Sequence, residues 1–344
     1  MPHHRRRVAV LRFGAPVLLA GAVAGCGSNP LDAPPPTIES ATAAASPPAS
    51  TPPAGRVEPL AGRPTAAVFD AATGTLAVFT PAASGDAGPA TVTVLGGPAA
   101  RPVPLPGATG AISGDGRGAV YAATRGGFFT VDLATGRADR TAIDGEADTE
   151  FTAVARRADG RLVLGSADGT AFTLGADLAV TERVSVFARV DAIVTVGDTA
   201  VVLDRGQTSV TALDPDSSRR QALRAGLGAT TIAADPTGRV LVSDTRGGQL
   251  LVFGVDPLIA RQAYPVGPAP FGLTGSRDLV WVSLTSSNTV IGYDLSTGIP
   301  VERVRYPTVQ QPNSLAFDDS SGTLYVVSGS GGGVQVIRDA AGGR

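Results

Sequence analysis

From Thr65 to the C-terminus the chain alternates short apolar runs with Gly-, Asp- and Ser-rich breaks. The pattern is clearest over residues 270–304, PFGLTGSRDLVWVSLTSSNTVIGYDLSTGIPVERV. An apolar stretch, a turn, an alternating run, a polar turn, a second run, an Asp–Ser–Thr–Gly turn and a last run follow in order. Period-two alternation over four to eight residues predicts strands, and nothing in these units has the 3.6-residue apolar period of a helix. The same order of events recurs seven times. The second predicted strands align as Leu76-Ala77-Val78, Ala119-Val120-Tyr121, Leu162-Val163-Leu164, Ala200-Val201-Val202, Val240-Leu241-Val242, Leu279-Val280-Trp281 and Thr323-Leu324-Tyr325, about 38 to 45 residues apart.

A repeat of that length, made of four short strands joined by tight turns, predicts an all-β, seven-bladed β-propeller. The first hairpin turns, Asp115-Gly116, Asp159-Gly160, Asp235-Pro236-Thr237-Gly238 and Ser320-Ser321-Gly322, carry the glycines that tight turns need. The third-to-fourth-strand turns, Asp132–Gly136 and Asp294–Gly298, with Asp214–Ser218 as a variant, place an aspartate where it caps its own turn. The last unit stops after its third strand, Val334–Ile337. Ahead of the first unit stands Arg56–Gly62, which looks like the fourth strand and turn at Arg101–Gly107. The N-terminal strand is therefore expected to complete the seventh blade and close the ring, leaving no blade edge unpaired.

Residues 1–25 read as a targeting segment. His3, His4 and Arg5–Arg7 precede a 13-residue apolar run, Phe13–Gly25, too short to span a bilayer as a mature helix. The run ends in Val23-Ala24-Gly25-Cys26, similar to the bacterial lipobox, and Cys26 is the single cysteine of 344 residues. Cys26 is thus expected to be lipidated, holding the mature protein by its acyl chains on the extracytoplasmic face of a membrane. Residues 26–55 are rich in Pro, Ala, Ser and Thr and cannot bury a core of their own, so they are expected to be a disordered tether, with a docking peptide or a stalk glycosylated through its Ser and Thr as the alternatives. In polyproline II geometry that tether would reach about 90 Å. The propeller proper is 56–344.

Composition narrows the chemistry. Gly 44 and Pro 27 suit many short strands and turns, and all 28 basic residues are arginine. Both histidines lie in the targeting segment with four of the arginines. The mature chain then has 24 Arg against 30 Asp plus Glu, a net charge near −6, and neither histidine nor a free thiol. Ser-His-Asp and Cys-His catalysis, His-ligated zinc and disulfides are excluded. The acidic balance argues against a nucleic-acid partner, which needs a basic footprint. Aromatic residues such as Phe69, Phe79, Phe172, Phe253, Trp281 and Phe317 fall inside strands, as core residues do.

Asn288–Gly298 resembles the core of YVTN-type and YncE-like propeller repeats, and Asp235–Asp244 resembles their strand pair and that of NHL repeats. Lipobox, Pro-rich tether and propeller together look like actinobacterial lipoproteins of the LppL kind. The first unit departs from the repeat by an Ala/Gly/Pro insertion at 81–90, and the second lacks the Asn-Thr pair. The resemblance implies an extracytoplasmic binding or scaffolding propeller.

In such a ring the loops joining strands two and three share one face with the connections between blades. Three of these loops present arginine beside glycine, and Arg125, Arg205 and Arg246 could converge on a carboxylate or phosphate. Alternatively each arginine pairs with a neighbouring acid, such as Asp204 or Asp244, or solvates its loop. Six-bladed gluconolactonases of related topology hold a divalent metal through Glu, Asn and Asp near the channel. The corresponding candidates here, Glu150, Asp191 and Asn313, come from different blades and nothing in their spacing makes them converge. With one tryptophan, Trp281, a quinoprotein dehydrogenase is disfavoured. The expectation is a monomeric, non-enzymatic module without metal or cofactor, binding an envelope protein or a small anionic ligand. The alternative is a divalent-metal-dependent, lactonase-like hydrolase.

Overall fold

The computed structural model describes residues 36–82, 89–216 and 220–342. The targeting segment, Cys26 and most of the first unit's insertion lie outside them. Among the described residues no helix is long and apolar enough to cross a membrane.

Seven four-stranded antiparallel sheets make up the chain from Arg56 onward. Blades 1 to 6 span 66–105, 108–142, 151–185, 192–224, 229–265 and 270–307, each with its strands in sequence order. Blade 7 takes its first three strands from Pro312–Asp318, Thr323–Ser328 and Val334–Ile337. Its fourth is Arg56–Glu58, paired antiparallel with Arg56 opposite Val336 and Glu58 opposite Val334. The ring is closed by the N-terminal strand, as the sequence predicts.

A blade exposes two faces, and its second and third strands are apolar on both. Leu162–Ser166 and Val240–Asp244 are buried at every position. Each blade must therefore pack face to face on two neighbours, and the core divides accordingly into seven clusters, each shared by two adjacent blades. The closing cluster joins Leu76 and Val78 of blade 1 to Ala316, Val327, Val334 and Val336 of blade 7. Phe69 stacks there on Tyr325 with ring centroids 5.7 Å apart, and one interface back Trp281 stacks on Phe317 at 5.6 Å. The first strands lie innermost and line a central channel of about 750 Å³.

Turn aspartates act as the sequence suggests. The Asp132 carboxylate accepts the Thr135 N–H at 2.8 Å and Asp294 accepts the Ser296 N–H at 2.8 Å. These bonds, with Arg303 beside Asp294, hold the Asp294 carboxyl down at about 2. On the first-hairpin side, the Asp70 carboxylate takes the Gly118 N–H of the next blade at 2.9 Å, and Asp319 takes the Arg277 N–H at 2.9 Å. These turns stitch blades as well as capping themselves.

Closure has its own clasp in Gln335, a fully buried side chain on the third strand of blade 7. Its amide donates to the carbonyls of Ala54 at 2.8 Å and Pro307 at 3.0 Å, and its Oε1 accepts the Val309 N–H at 3.0 Å. Three segments distant in sequence meet on one amide. Gln335→Leu leaves buried main-chain groups unpaired and should cost about 2–3 kcal/mol, read as a lower urea midpoint at unchanged slope. Deleting residues 56–62 should lower the melting temperature far more, because blade 7 then loses its fourth strand. A ring that melts unchanged after the deletion is not closed by this strand.

Candidate functional site

The face carrying the second-to-third-strand loops is built by residues at the ends of second strands. Asp204 and Asp244 are the terminal residues of those strands in blades 4 and 5, and both are fully buried. The Asp244 carboxylate accepts N–H groups from Leu227 at 3.0 Å, Gly228 at 2.8 Å and Gly247 at 2.9 Å. Asp204 accepts those of Ala188 at 2.7 Å, Arg189 at 3.3 Å and Gln207 at 2.8 Å. One acid thus ties its own loop to the incoming interblade connection. Ser328 does the same work through its hydroxyl, donating to Gln310 O and accepting the Gly332 N–H at 2.9 Å. Gly226, at φ +74°, abuts Asp244 so closely that any Cβ would collide with the carboxylate.

These bonds decide the fate of the three arginines. Asp204 and Asp244 spend their oxygens on main-chain amides, so they are not the partners of Arg205 and Arg246. Nor do the guanidiniums meet at a common point. Arg125 is exposed and donates to Asp148 O at 3.2 Å. Arg246 donates to Leu227 O at 3.2 Å and Glu39 O at 2.7 Å. Arg205 donates to Ala41 O and lines the channel mouth, with its Nε–H buried and lacking an acceptor.

Glu39 and Ala41 belong to the segment expected to be a free tether. Its described part, from residue 36, has no helix or strand of its own, yet lies bonded across the loop face. The Ile38 N–H donates to Gly206 O at 2.8 Å in blade 4. The segment then crosses to blades 6 and 7, where Ser46 is its most heavily bonded residue. The Ser46 hydroxyl donates to Thr285 O at 2.6 Å and accepts the Gln311 N–H at 2.9 Å, while its N–H donates to the Gln311 Oε1 at 3.0 Å. The Gln311 amide reaches Ala44 O at 2.9 Å and the Asn288 amide reaches Pro47 O at 2.8 Å. Composition reports only that a segment cannot fold alone; it is silent on a surface waiting for its carbonyls.

Beneath Thr42, Ala43 and Ala45 lies a cavity of about 520 Å³ that shares Arg205, Phe271 and Asn313 with the channel. Phe271 and Asn313 both sit at β-bulges near the start of inner strands, between Pro270 and Leu273 and between Pro312 and Ser314. A bulge leaves a residue unpaired and re-aims it, here into the mouth. Gln311 and Asn288 hold left-handed backbones at φ +56° and +48°. The sequence analysis missed Phe271 and Gln311 as site residues; the one trace was the slipped alternation at each inner strand's start. Asn288 belongs to the repeat motif, but its donor role is not written in it.

The candidate metal trio is not assembled. Asp191 and Asn313 line the channel, whereas Glu150 is exposed beside Arg125, to which it forms an isolated β-bridge. Among the described residues no three acidic or other metal-binding side chains cluster. Asp191 accepts the Arg205 N–H at 2.8 Å and pairs with Arg189 at 3.3 Å. Burial nonetheless pushes its carboxyl above the usual carboxylate value, against the pull of the Arg205 N–H and both guanidiniums.

No family model matches the chain, and no curated protein matches it in sequence. Solved structures do match in fold. A chain of a mitotic checkpoint complex aligns with a TM-score of 0.67 at 12% identity, covering 87% of this chain and 98% of that one. U3-55K aligns at 0.64 with 15% identity, covering 84% and 100%. Virginiamycin B lyase from Staphylococcus aureus aligns at 0.63 with 11% identity, covering 82% and 99%. At these identities the likeness establishes the β-propeller and nothing about chemistry.

Two outcomes test the site's construction. Asp244→Ala strands three amides and should cost at least about 3 kcal/mol, with Asp244→Asn costing less because one acceptor oxygen remains; both are read by denaturant titration. For Asp191 the folded carboxyl titrates above its ordinary 3.8, so the folded state holds its proton more tightly. Its contribution is present below 3.8 and is lost as pH rises through the raised value. Asp191→Asn, which still accepts from Arg205, should remove that loss and leave the mutant relatively more stable toward neutral pH.

Proposed function

We propose that this protein is a membrane-anchored, extracytoplasmic propeller that acts as a monomeric binding or scaffolding module for another envelope protein. The loop face carries the reading. Its arginine, asparagine and glutamine side chains point their donors at main-chain carbonyls of polypeptide lying on it, through Arg205, Arg246, Asn288 and Gln311. Surfaces of this kind suit protein partners, and the loops that carry Arg205 and Arg246 are pre-organised by the buried Asp204 and Asp244. A small anionic ligand is the second reading, favoured by the Arg205 Nε–H that lacks an acceptor at the mouth.

The anchoring part rests on Cys26 and its lipobox. With Ile38 bonded to blade 4, about twelve residue steps separate an acylated Cys26 from the ring, a contour of at most about 43 Å. The ring is then held much nearer the membrane than a free tether ending at Gly55 would allow.

The test is crosslinking in intact cells, recovery of the lipidated protein and mass spectrometry, alongside an Arg125→Ala/Arg205→Ala/Arg246→Ala variant. One or two envelope proteins should be recovered with the parent and lost with the variant. Full recovery with a folded variant moves the contact off this face, and recovery of no specific protein leaves the anion reading in its place.

A further inference from the structure

Most side-chain contacts of the N-terminal segment run from the ring to its carbonyls. Ring side chains donate to the carbonyls of Glu39, Ala41, Ala44, Ser46 and Pro47, from Arg246, Arg205, Gln311, Gln310 and Asn288 respectively. A carbonyl belongs to every residue, so these bonds recognise an extended backbone and its spacing rather than a particular sequence. Of the segment's own side chains, Ser46 adds specific bonds.

Size is restricted at one position, Ala41, the one buried residue of 36–50. Ala41 is 8% exposed, and a Cβ placed on Gly228 would come within 3.0 Å of the Ala41 Cβ. A methyl group fits there and a longer chain does not. Thr37 lies beside Gly206 but is exposed. The segment has no regular structure holding it in place, so its position depends on these ring contacts.

We infer that the loop face over blades 4 to 7 is a docking groove for an extended polypeptide of small residues, and that Thr37–Pro47 fills it in cis. The inference rests on the reading of this face as the binding surface and adds the occupant and the gate. A partner strand of Ala, Ser and Thr must displace the strap, which competes at the effective concentration of a tethered segment, of millimolar order. Displacement also uncovers the mouth, since Thr42, Ala43 and Ala45 form one wall of the cavity over Arg205 and Asn313.

The experiment uses the full mature chain and a fluorescein-labelled synthetic peptide of residues 36–48. Ala41→Arg with Ser46→Pro should free the strap, because the arginine cannot pass Gly228 and the proline has neither the N–H nor the hydroxyl that Gln311 and Thr285 bind. Fluorescence anisotropy should show the peptide bound at least tenfold tighter by this variant than by the parent, and adding Gln311→Ala should abolish the gain. Hydrogen exchange on the parent supplies an independent readout: the Ile38 and Ser46 amides should be protected. Equal binding by parent and freed variant, no binding by a freed variant with parental melting temperature, or unprotected amides in the parent each overturn the inference. If the freed variant does not fold, amide protection decides. Peptide binding without any envelope partner in cells would retain the groove and reject the proposed function; the converse would reject the groove alone.

Discussion

A blade apolar on both faces cannot stand alone, and everything else in this molecule follows from that. Seven sheets satisfy one another only around a closed circle, since an open arc would leave two apolar faces in water. The last interface, with Leu76 and Val78 against Val327, Val334 and Val336, completes that circle. Residues 58–66 carry the chain across that joint from blade 7 into blade 1, so covalent continuity fails only inside blade 7, between Arg56–Glu58 and Val334–Ile337. Closure falls instead to a three-residue strand and to the buried amide of Gln335, which holds Ala54 and Pro307 together. A short strand suffices because it is not asked to nucleate anything: the sheet it joins is already packed on both sides.

The same economy of polar groups shapes the loop face. A loop that turns beside a buried strand end carries amides with no ladder partner, and an unpaired buried amide is costly. Asp204 and Asp244 satisfy three each. Acids committed in this way are lost to metal binding or to ion pairing with the adjacent arginines. The arginines are left to find acceptors beyond their own loops, and main-chain carbonyls provide them: Asp148 for Arg125, Leu227 and Glu39 for Arg246, and Ala41 for Arg205. The donor-rich face is thus a consequence of how the loops are built.

Much of this was legible in the sequence, and the boundary is physical. Second strands could be aligned because burial on both faces forces an apolar triplet in every blade. Turn aspartates and glycines could be read because a tight turn limits which residues can adopt it. The N-terminal strand was recognisable because the last unit lacked one. What could not be read was where Thr37–Pro47 docks and through which residues, because recognition there is of carbonyls, and carbonyls leave no signature. Bulges at Phe271 and Asn313 were equally hidden: a one-residue slip in a short apolar run looks like ordinary irregularity until the partner strand is placed.

Strap, the Ala54 carbonyl that the Gln335 clasp holds, and closing strand follow one another along one segment. From Ile38 the chain crosses the loop face to Pro47, enters the joint at Ala54, where its N–H meets Pro307 O at 3.0 Å, and becomes the fourth strand of blade 7 at Arg56. A load entering at the N-terminus therefore meets the strap first. Its bonds are exposed or part-buried and spread from Ile38 to Pro47. The clasp behind them is buried, and its three bonds share one amide. This ordering separates two events that a bare closing strand would merge. The loop face can be uncovered by lifting the strap while the ring stays shut, because the buried Gln335 amide stands between the two.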